Sequence, residues 1–229
     1  MKNYFKDWSL FEKLILFAGL ITTTIISIIT KSTIPALING ICNILNSVLS
    51  AKGKISNYYF GIIGNIIYVF VSYNSRYYSE VITILLIVLP ISIYGLYNWI
   101  KGRKNSESDD VVINKPTRKQ ILLPILSQVI MSVPYYFMLK YFNNDLLAVS
   151  TFGMIVTILA FYFMAKAFTI FHYFFIINAI TRLIMWGVPM LRGDFSNTPL
   201  FMSNLVYLVN DIYGLINWTK LEKQQTESA

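Results

Sequence analysis

Eight apolar stretches divide the chain, each close to the length that crosses a bilayer. They are Leu14–Thr30, Ile34–Ser50, Tyr58–Tyr73, Val81–Ile100, Ile121–Phe142, Leu146–Met164, Phe168–Leu191 and Leu200–Trp218. A helix needs about 17–25 mostly apolar residues to span a membrane. The third stretch is the shortest and can begin nearer Ile55. The pattern predicts an all-α integral membrane protein with eight transmembrane helices. The only long polar segment, "KGRKNSESDDVVINKPTRKQ" at 101–120, reads as a linker between two halves.

An even number of crossings puts both termini on one side. Of the 19 Lys and Arg, five fall on the opposite side: Lys31, Arg76, Lys140, Arg182 and Arg192. The other 14 lie on the terminal side. The positive-inside rule then places both termini in the cytoplasm of a multi-pass protein of the cell membrane. The first stretch lacks a small-residue cleavage site and is long for a signal peptide, so it is expected to be retained.

Composition agrees with lipid as the solvent. Hydrophobic residues make up 55% and charged residues 13%, against about 25% charged in a soluble domain. The net charge of +8 follows the topology and forms no groove for nucleic acid. Cys42 is the single cysteine, which excludes an internal disulfide. His172 has no Cys or His neighbour, so no metal site or other cofactor is expected. Asp211 is the only deep carboxylate, and no paired catalytic groups share its level. An enzyme is therefore not expected.

The chain repeats itself. "IYGLYNW" at 93–99 returns as "IYGLINW" at 212–218, and a lysine stands two places after each Trp. Further back the offset is 114: Ala51-Lys52 matches Ala165-Lys166, and Tyr59, Phe60, Ile62, Ile63 and Ile66 match Tyr173, Phe174, Ile176, Ile177 and Ile180. The longer outer loop "RGDFSNTPL" accounts for the change of offset. The expected division is an extra N-terminal helix (1–31), a first three-helix repeat (32–101), a linker (102–120), a linker helix (121–144), a second three-helix repeat (145–220) and a cytoplasmic tail (221–229). One linker crossing lets both repeats run in the same direction. Parallel repeats about the membrane normal are a transporter architecture, with substrate held between them near the midplane.

Polar residues inside the spans are costly unless they are paired or face a cavity. Asn39, Asn43, Asn46 and Ser50 fall within about 60° of one another on helix two. Asn65 lies on helix three. Asn178, Arg182 and Trp186 lie on helix seven, and Asn204, Tyr207, Asn210 and Asp211 on helix eight. By helical rise, Asn43, Asn65, Asn178, Asn210 and Asp211 sit roughly 10–16 Å above the terminal-side boundary of a ~30 Å core. Such a level suits a nucleoside, which needs its hydroxyls and base edge hydrogen-bonded and its ring stacked. Phe174, Trp186, Tyr207 and Trp99 are the stacking candidates. Each Asn has an alternative reading as a helix-to-helix hydrogen bond. Trp99 and Trp218, at span ends, read as interfacial anchors. Arg182 lies roughly 10 Å above Asp211 by the same rise count, too far for a direct pair. An ionised Asp211 would favour a cationic ring; a neutral or merely accepting one would suit ribose hydroxyls.

The blocks "AKGKISNYYFGIIGNIIYVF", "YYSEV" and "YGLYNW", with "LIMW" and "YLVNDIYGLINW" in the second half and "DWSLFEK" at the start, resemble the PnuC family of vitamin and nucleoside transporters over about residues 1–222. The resemblance implies a SWEET-like 3+1+3 bundle. It implies facilitated diffusion of an unphosphorylated vitamin or nucleoside, nicotinamide riboside being the best-known substrate, with trapping by a cytoplasmic kinase. It also implies a homotrimer as one option. Thiamine, riboflavin, a deoxynucleoside and a sugar carried in SWEET fashion are the alternatives. Where the family has a Trp-x-x-Trp pair this chain has Phe171 and Phe174; the Asn that follows is kept as Asn178. Where the family often has Asn and Gln on the fourth helix, this chain offers Thr83 and Ser92. The substrate-binding set is thus Asn39, Asn43, Asn46, Asn65, Phe174, Asn178, Trp186, Tyr207, Asn210 and Asp211.

Overall fold

The computed structural model describes residues 8–29, 33–74, 81, 84–103, 109–141, 146–193 and 198–227. Among these residues the chain forms eight α-helices: α1 (Leu10–Ile29), α2 (Ile34–Ala51), α3 (Asn57–Asn74), α4 (Leu89–Gly102), α5 (Arg118–Tyr141), α6 (Leu147–Ala165), α7 (Phe171–Leu191) and α8 (Thr198–Glu227). Five helical stretches are long and apolar enough to cross a membrane: Leu10–Ile29, Ile34–Ala51, Ile84–Gly102, Arg118–Tyr141 and Leu147–Ala165. Shorter apolar segments, Asn57–Val71 and Phe171–Met185, lie in α3 and α7. The protein is a multi-pass, all-helical membrane protein.

Among the helix limits that differ from the hydropathy pattern, three have a clear local reason. The fourth apolar run contains Pro90, which lacks an N–H and crowds the preceding turn. The backbone widens there into a π-helical turn, Ile84–Val88, before α4 begins. The seventh begins at Phe171 because the residues before it form a tight turn after α6. The eighth continues past Trp218 to Glu227, since a helix does not end where lipid ends. Its polar last turns are held down: the Thr169 hydroxyl donates to Glu222 (2.6 Å), and Gln225 bonds both Ile113 N–H and Val111 C=O, each at 2.9 Å.

Packing follows a closed circuit of six helices. α2 packs on α3, α3 on α4, α4 on α6, α6 on α7, α7 on α8, and α8 back on α2. α1 lies against α2 outside this circuit, and α5 lies against α6. Both outer helices open with the same cap, Ser9-x-x-Glu12 on α1 and Thr117-x-x-Gln120 on α5. In this capping box each side chain satisfies the other residue's backbone N–H.

The core is concentrated at the end of the bundle where the α2–α3 and α6–α7 turns lie. There Ile55, Tyr58, Trp99, Val111, Phe163, Phe171 and Trp218 pack into one cluster. The last carbonyls of a helix have no partner within it. Here the opposite half supplies donors to them, beside the turn bonds from Gly53 N–H to Ser50 C=O and from Ala167 N–H to Met164 C=O, both 2.9 Å. The Trp99 indole donates to Met164 C=O (2.8 Å) and the Asn98 amide to Ala165 C=O (3.1 Å), both at the end of α6. Trp218 donates to Ser50 C=O (2.9 Å) and Asn217 to Ala51 C=O (3.0 Å), both at the end of α2. The sequence repeat matches Ser50-Ala51 to Met164-Ala165 and Asn98-Trp99 to Asn217-Trp218. Trp99 and Trp218 are 1% and 0% exposed, with ring centroids 5.5 Å apart. They are buried couplings between the halves; the interfacial-anchor expectation is corrected because a buried indole N–H requires an acceptor.

The turns that follow α2 and α6 also match. Gly53 and Ala167 occupy equivalent places, with φ of 75° and 55°. Glycine adopts this left-handed region without cost, whereas alanine is strained there. The glycines of the two heptads serve close approach: a Cβ on Gly95 would meet the Tyr58 ring, and one on Gly214 would meet His172. Tyr58 and His172 are themselves matched by the repeat, and both are buried.

The described part of the polar linker is laid over these turns. Val111 N–H donates to Gly53 C=O and Asn114 N–H to Ala167 C=O, both at 2.9 Å. Asp109 accepts from the Ser56 backbone (2.8 Å) and hydroxyl (2.6 Å) just ahead of α3, where a helix N-terminus favours negative charge. α1 is fastened by an ion pair: Lys52 Nζ lies 2.9 Å from Glu12, whose other oxygen accepts from the Tyr213 hydroxyl at 2.8 Å. Glu12 is only 4% exposed.

Candidate functional site

The expected site residues fall on α2, α3, α7 and α8, all members of the six-helix circuit. On α2 the amides form a relay. Asn43 Nδ2 donates to Asn39 Oδ1 (3.0 Å), and Asn39 Nδ2 donates to Gly64 C=O on α3 (2.7 Å). Asn46 Nδ2 donates to Asn57 C=O at the start of α3 (2.9 Å). Asn39 and Asn46 thus clamp α3 to α2, which is the packing use of an intramembrane Asn. Gly64 and Gly61 allow this closeness: a Cβ at Gly64 would lie 3.1 Å from the Cys42 Cβ, and one at Gly61 would lie 2.6 Å from Asn46 Nδ2. Asn65 is half-buried on α3.

Across the circuit, Asn210 ties α8 to α2. Its amide donates to the Ser47 hydroxyl (2.8 Å) and carbonyl (3.1 Å), and it is 3% exposed. That bond sets Asp211 one residue from the α2–α8 junction and one turn below Tyr207. Asp211 and Tyr207 are both half-buried. Tyr207 lies within electrostatic reach of both Arg182 and Asp211. Among the described residues no ion pair joins Arg182 to Asp211; the pairs are Lys52–Glu12 and Lys54–Asp110. Arg182 is exposed.

On α7, Asn178 is buried and its amide lies 3.0 Å from the Thr157 hydroxyl of α6. Phe174 packs on Phe163, centroids 5.1 Å apart, one turn before Asn178. Phe171 is fully packed against Trp218, centroids 4.7 Å apart. Trp186 lies on α7, and its side chain lies outside the described residues, as does Thr83. Ser92 is buried on α4.

The structure therefore separates the expected amides into two kinds. Asn39, Asn46 and Asn210 spend their donors on neighbouring helices. Asn43 keeps an acceptor beyond its bond to Asn39, and Asp211 has no hydrogen bond among the described residues. Thr157 and Ser47 are partners that a search for amides and acids passes over; Ser47 stands one turn after Asn43. Two surface clefts have other linings. One of about 370 Å³ runs between α6 and α7 and is lined by Phe152, Ile177 and Ile184 among others. The other, about 580 Å³, lies between α4, α5 and α6 and includes Lys119, Gln120 and Gln128.

Three comparisons bear on these helices. Residues 33–220 match the family model described as nicotinamide mononucleotide transporter. A nicotinamide riboside transporter PnuC of Neisseria mucosa is 28% identical over 228 residues, covering 98% of this chain and 87% of that one. Its namesake from Haemophilus influenzae is 28% identical over 225 residues, covering 97% and 96%. A crystal structure of the vitamin B3 transporter PnuC superposes with a TM-score of 0.76 at 29% identity, covering 95% of this chain and 94% of that one.

Proposed function

The chain belongs to the nicotinamide mononucleotide transporter family, and from that premise we propose that it takes up nicotinamide riboside by facilitated diffusion. Both curated relatives carry that substrate in their names and align with nearly all of this chain. The observation that carries the proposal is the closed six-helix circuit, on whose members Asn43, Asn178 and Asp211 share a depth by helical rise, with Tyr207 one turn from Asp211. An unphosphorylated substrate fits this level better than a phosphorylated one. A phosphate beside an ionised Asp211 would bring like charges together where water is scarce, and Arg182 on α7 is exposed. A pyridinium ring, by contrast, gains from a carboxylate and from aromatic faces.

The architecture we propose is two parallel three-helix repeats, α2–α4 and α6–α8, with α5 as linker helix and α1 added in front. The exchanged caps at the ends of α2 and α6 support it. Both termini are cytoplasmic in this reading, and a cytoplasmic kinase makes uptake one-way by adding a phosphate. The assembly in this reading is a homotrimer, with α5, none of whose residues is buried within the chain, at the subunit contact. The remaining expected residues, Asn39, Asn46, Asn65, Phe174, Trp186 and Asn210, frame the site.

The test is uptake by proteoliposomes of purified protein. Labelled nicotinamide riboside should equilibrate across the bilayer without an imposed ion gradient, and excess unlabelled riboside should compete. Nicotinamide mononucleotide should compete weakly. Flux of thiamine, riboflavin, a deoxynucleoside or a sugar, with none of the riboside, would overturn the assignment.

A further inference from the structure

We infer that Thr157 is a positioning residue for transport: it fixes which edge of the Asn178 amide is offered to the substrate. The inference rests on the transport reading above. Thr157 Oγ1 lies 2.8 Å from Gly153 C=O and 3.0 Å from the Asn178 amide. A hydroxyl has one proton to donate. Thr24, Thr151, Thr181, Thr219 and Thr226 each give theirs to the carbonyl four residues back, the usual habit of a helical threonine. Thr157 does the same with Gly153, so its oxygen is left to accept. Turning the Asn178 amide over exchanges Oδ1 and Nδ2 at the same two places and lets Nδ2–H donate to Thr157. Both bonds are then complete. Asn178 is left presenting its carbonyl oxygen and one N–H. Without the Thr157 hydroxyl the two amide orientations are no longer distinguished from that side.

The repeat explains why the support comes from α6. Thr157 stands where Asn43 stands in the first half, and Asn178 stands where Gly64 stands. In the first half the amide is on α2 and the glycine on α3: a Cβ at Gly64 would lie 3.4 Å from Asn43 Oδ1. In the second half the amide has moved across to α7. A short hydroxyl on α6 fits the space left and holds the amide from behind.

Riboside uptake is measured for T157V, T157S, N178A and the T157V/N178A pair in proteoliposomes, with thermal melting of each purified variant. Valine keeps the shape and removes the hydroxyl. T157V should raise KM about tenfold with maximal rate nearly unchanged, as when an interaction shared by bound and transition states is lost. T157S should restore wild-type KM, and the pair should be no worse than N178A alone. If N178A transports like the wild type, the site reading fails. If N178A is impaired while T157V matches the wild type, or the two losses multiply, the positioning role of Thr157 fails and the site reading stands. T157A carries the same expectation where T157V does not insert.

Discussion

Ala167 holds a backbone conformation that glycine occupies at the matching position, Gly53. A left-handed alanine carries roughly 1–2 kcal/mol of strain. Ala167→Gly should therefore raise the melting temperature of the purified protein, and Gly53→Ala should lower it. The second effect should be larger, because a Cβ at Gly53 would also meet Val111 at 3.2 Å and Leu221 at 3.3 Å. Asp211 is a residue of the opposite kind, with chemistry the fold does not use. Asp211→Asn keeps the shape and should leave the melting temperature nearly unchanged. It should weaken riboside binding by tenfold or more, about 1.4 kcal/mol, read by titration of the purified variant. Asp211 was legible in the sequence because an acid in an apolar helix is conspicuous. The uses of Asn39, Asn46 and Asn210 were not, because the letter Asn is the same whether its amide faces a ligand or a neighbouring carbonyl.

The helices themselves were readable at the scale of the element. Apolar runs of the right length mark all eight, and the described limits depart from them only where hydropathy reports lipid and the backbone answers to something else. Pro90 opens a π-helical turn, and the polar residues after Trp218 stay helical because Glu222 and Gln225 find partners on Thr169, Val111 and Ile113. The cross-half caps were half legible. The repeated N-W dipeptide is plain in the sequence, but its acceptors are main-chain carbonyls, which any residue supplies. Trp218→Phe keeps a ring and deletes the indole N–H. It removes one of two bonds to the Ser50 carbonyl, which keeps the one from Gly53 N–H (2.9 Å), and should cost about 0.5–1.5 kcal/mol, seen as a lower melting temperature in detergent. The clasp on α1 is a separate element-level feature. Removing one partner of a buried ion pair costs about 3–5 kcal/mol. Glu12→Ala should therefore expose the start of α1 to limited proteolysis while riboside binding persists, because α1 lies outside the six-helix circuit.

For the molecule as a whole, the caps run both ways: α4 closes the end of α6, and α8 closes the end of α2. Each half takes the donors for its last helix carbonyls, Ala51 and Ala165, from the other half. Residues 1–103 and 104–229, produced as two chains in one cell, should therefore associate and co-purify, and Trp99→Phe with Trp218→Phe should weaken that association more than either change alone. Isolation of each half as a stable monomer would count against this coupling. A contact in which each side gives what it receives is the mark of an isologous two-fold interface, as formed by two copies of one protein. In such a dimer every substitution appears twice, and the cavity must treat both sides of its guest alike. A single chain carrying both copies is released from that constraint. In the transport reading proposed above, one wall holds its amide at Asn43 and the other at Asn178, an asymmetry that suits a molecule with a base at one end and a sugar at the other.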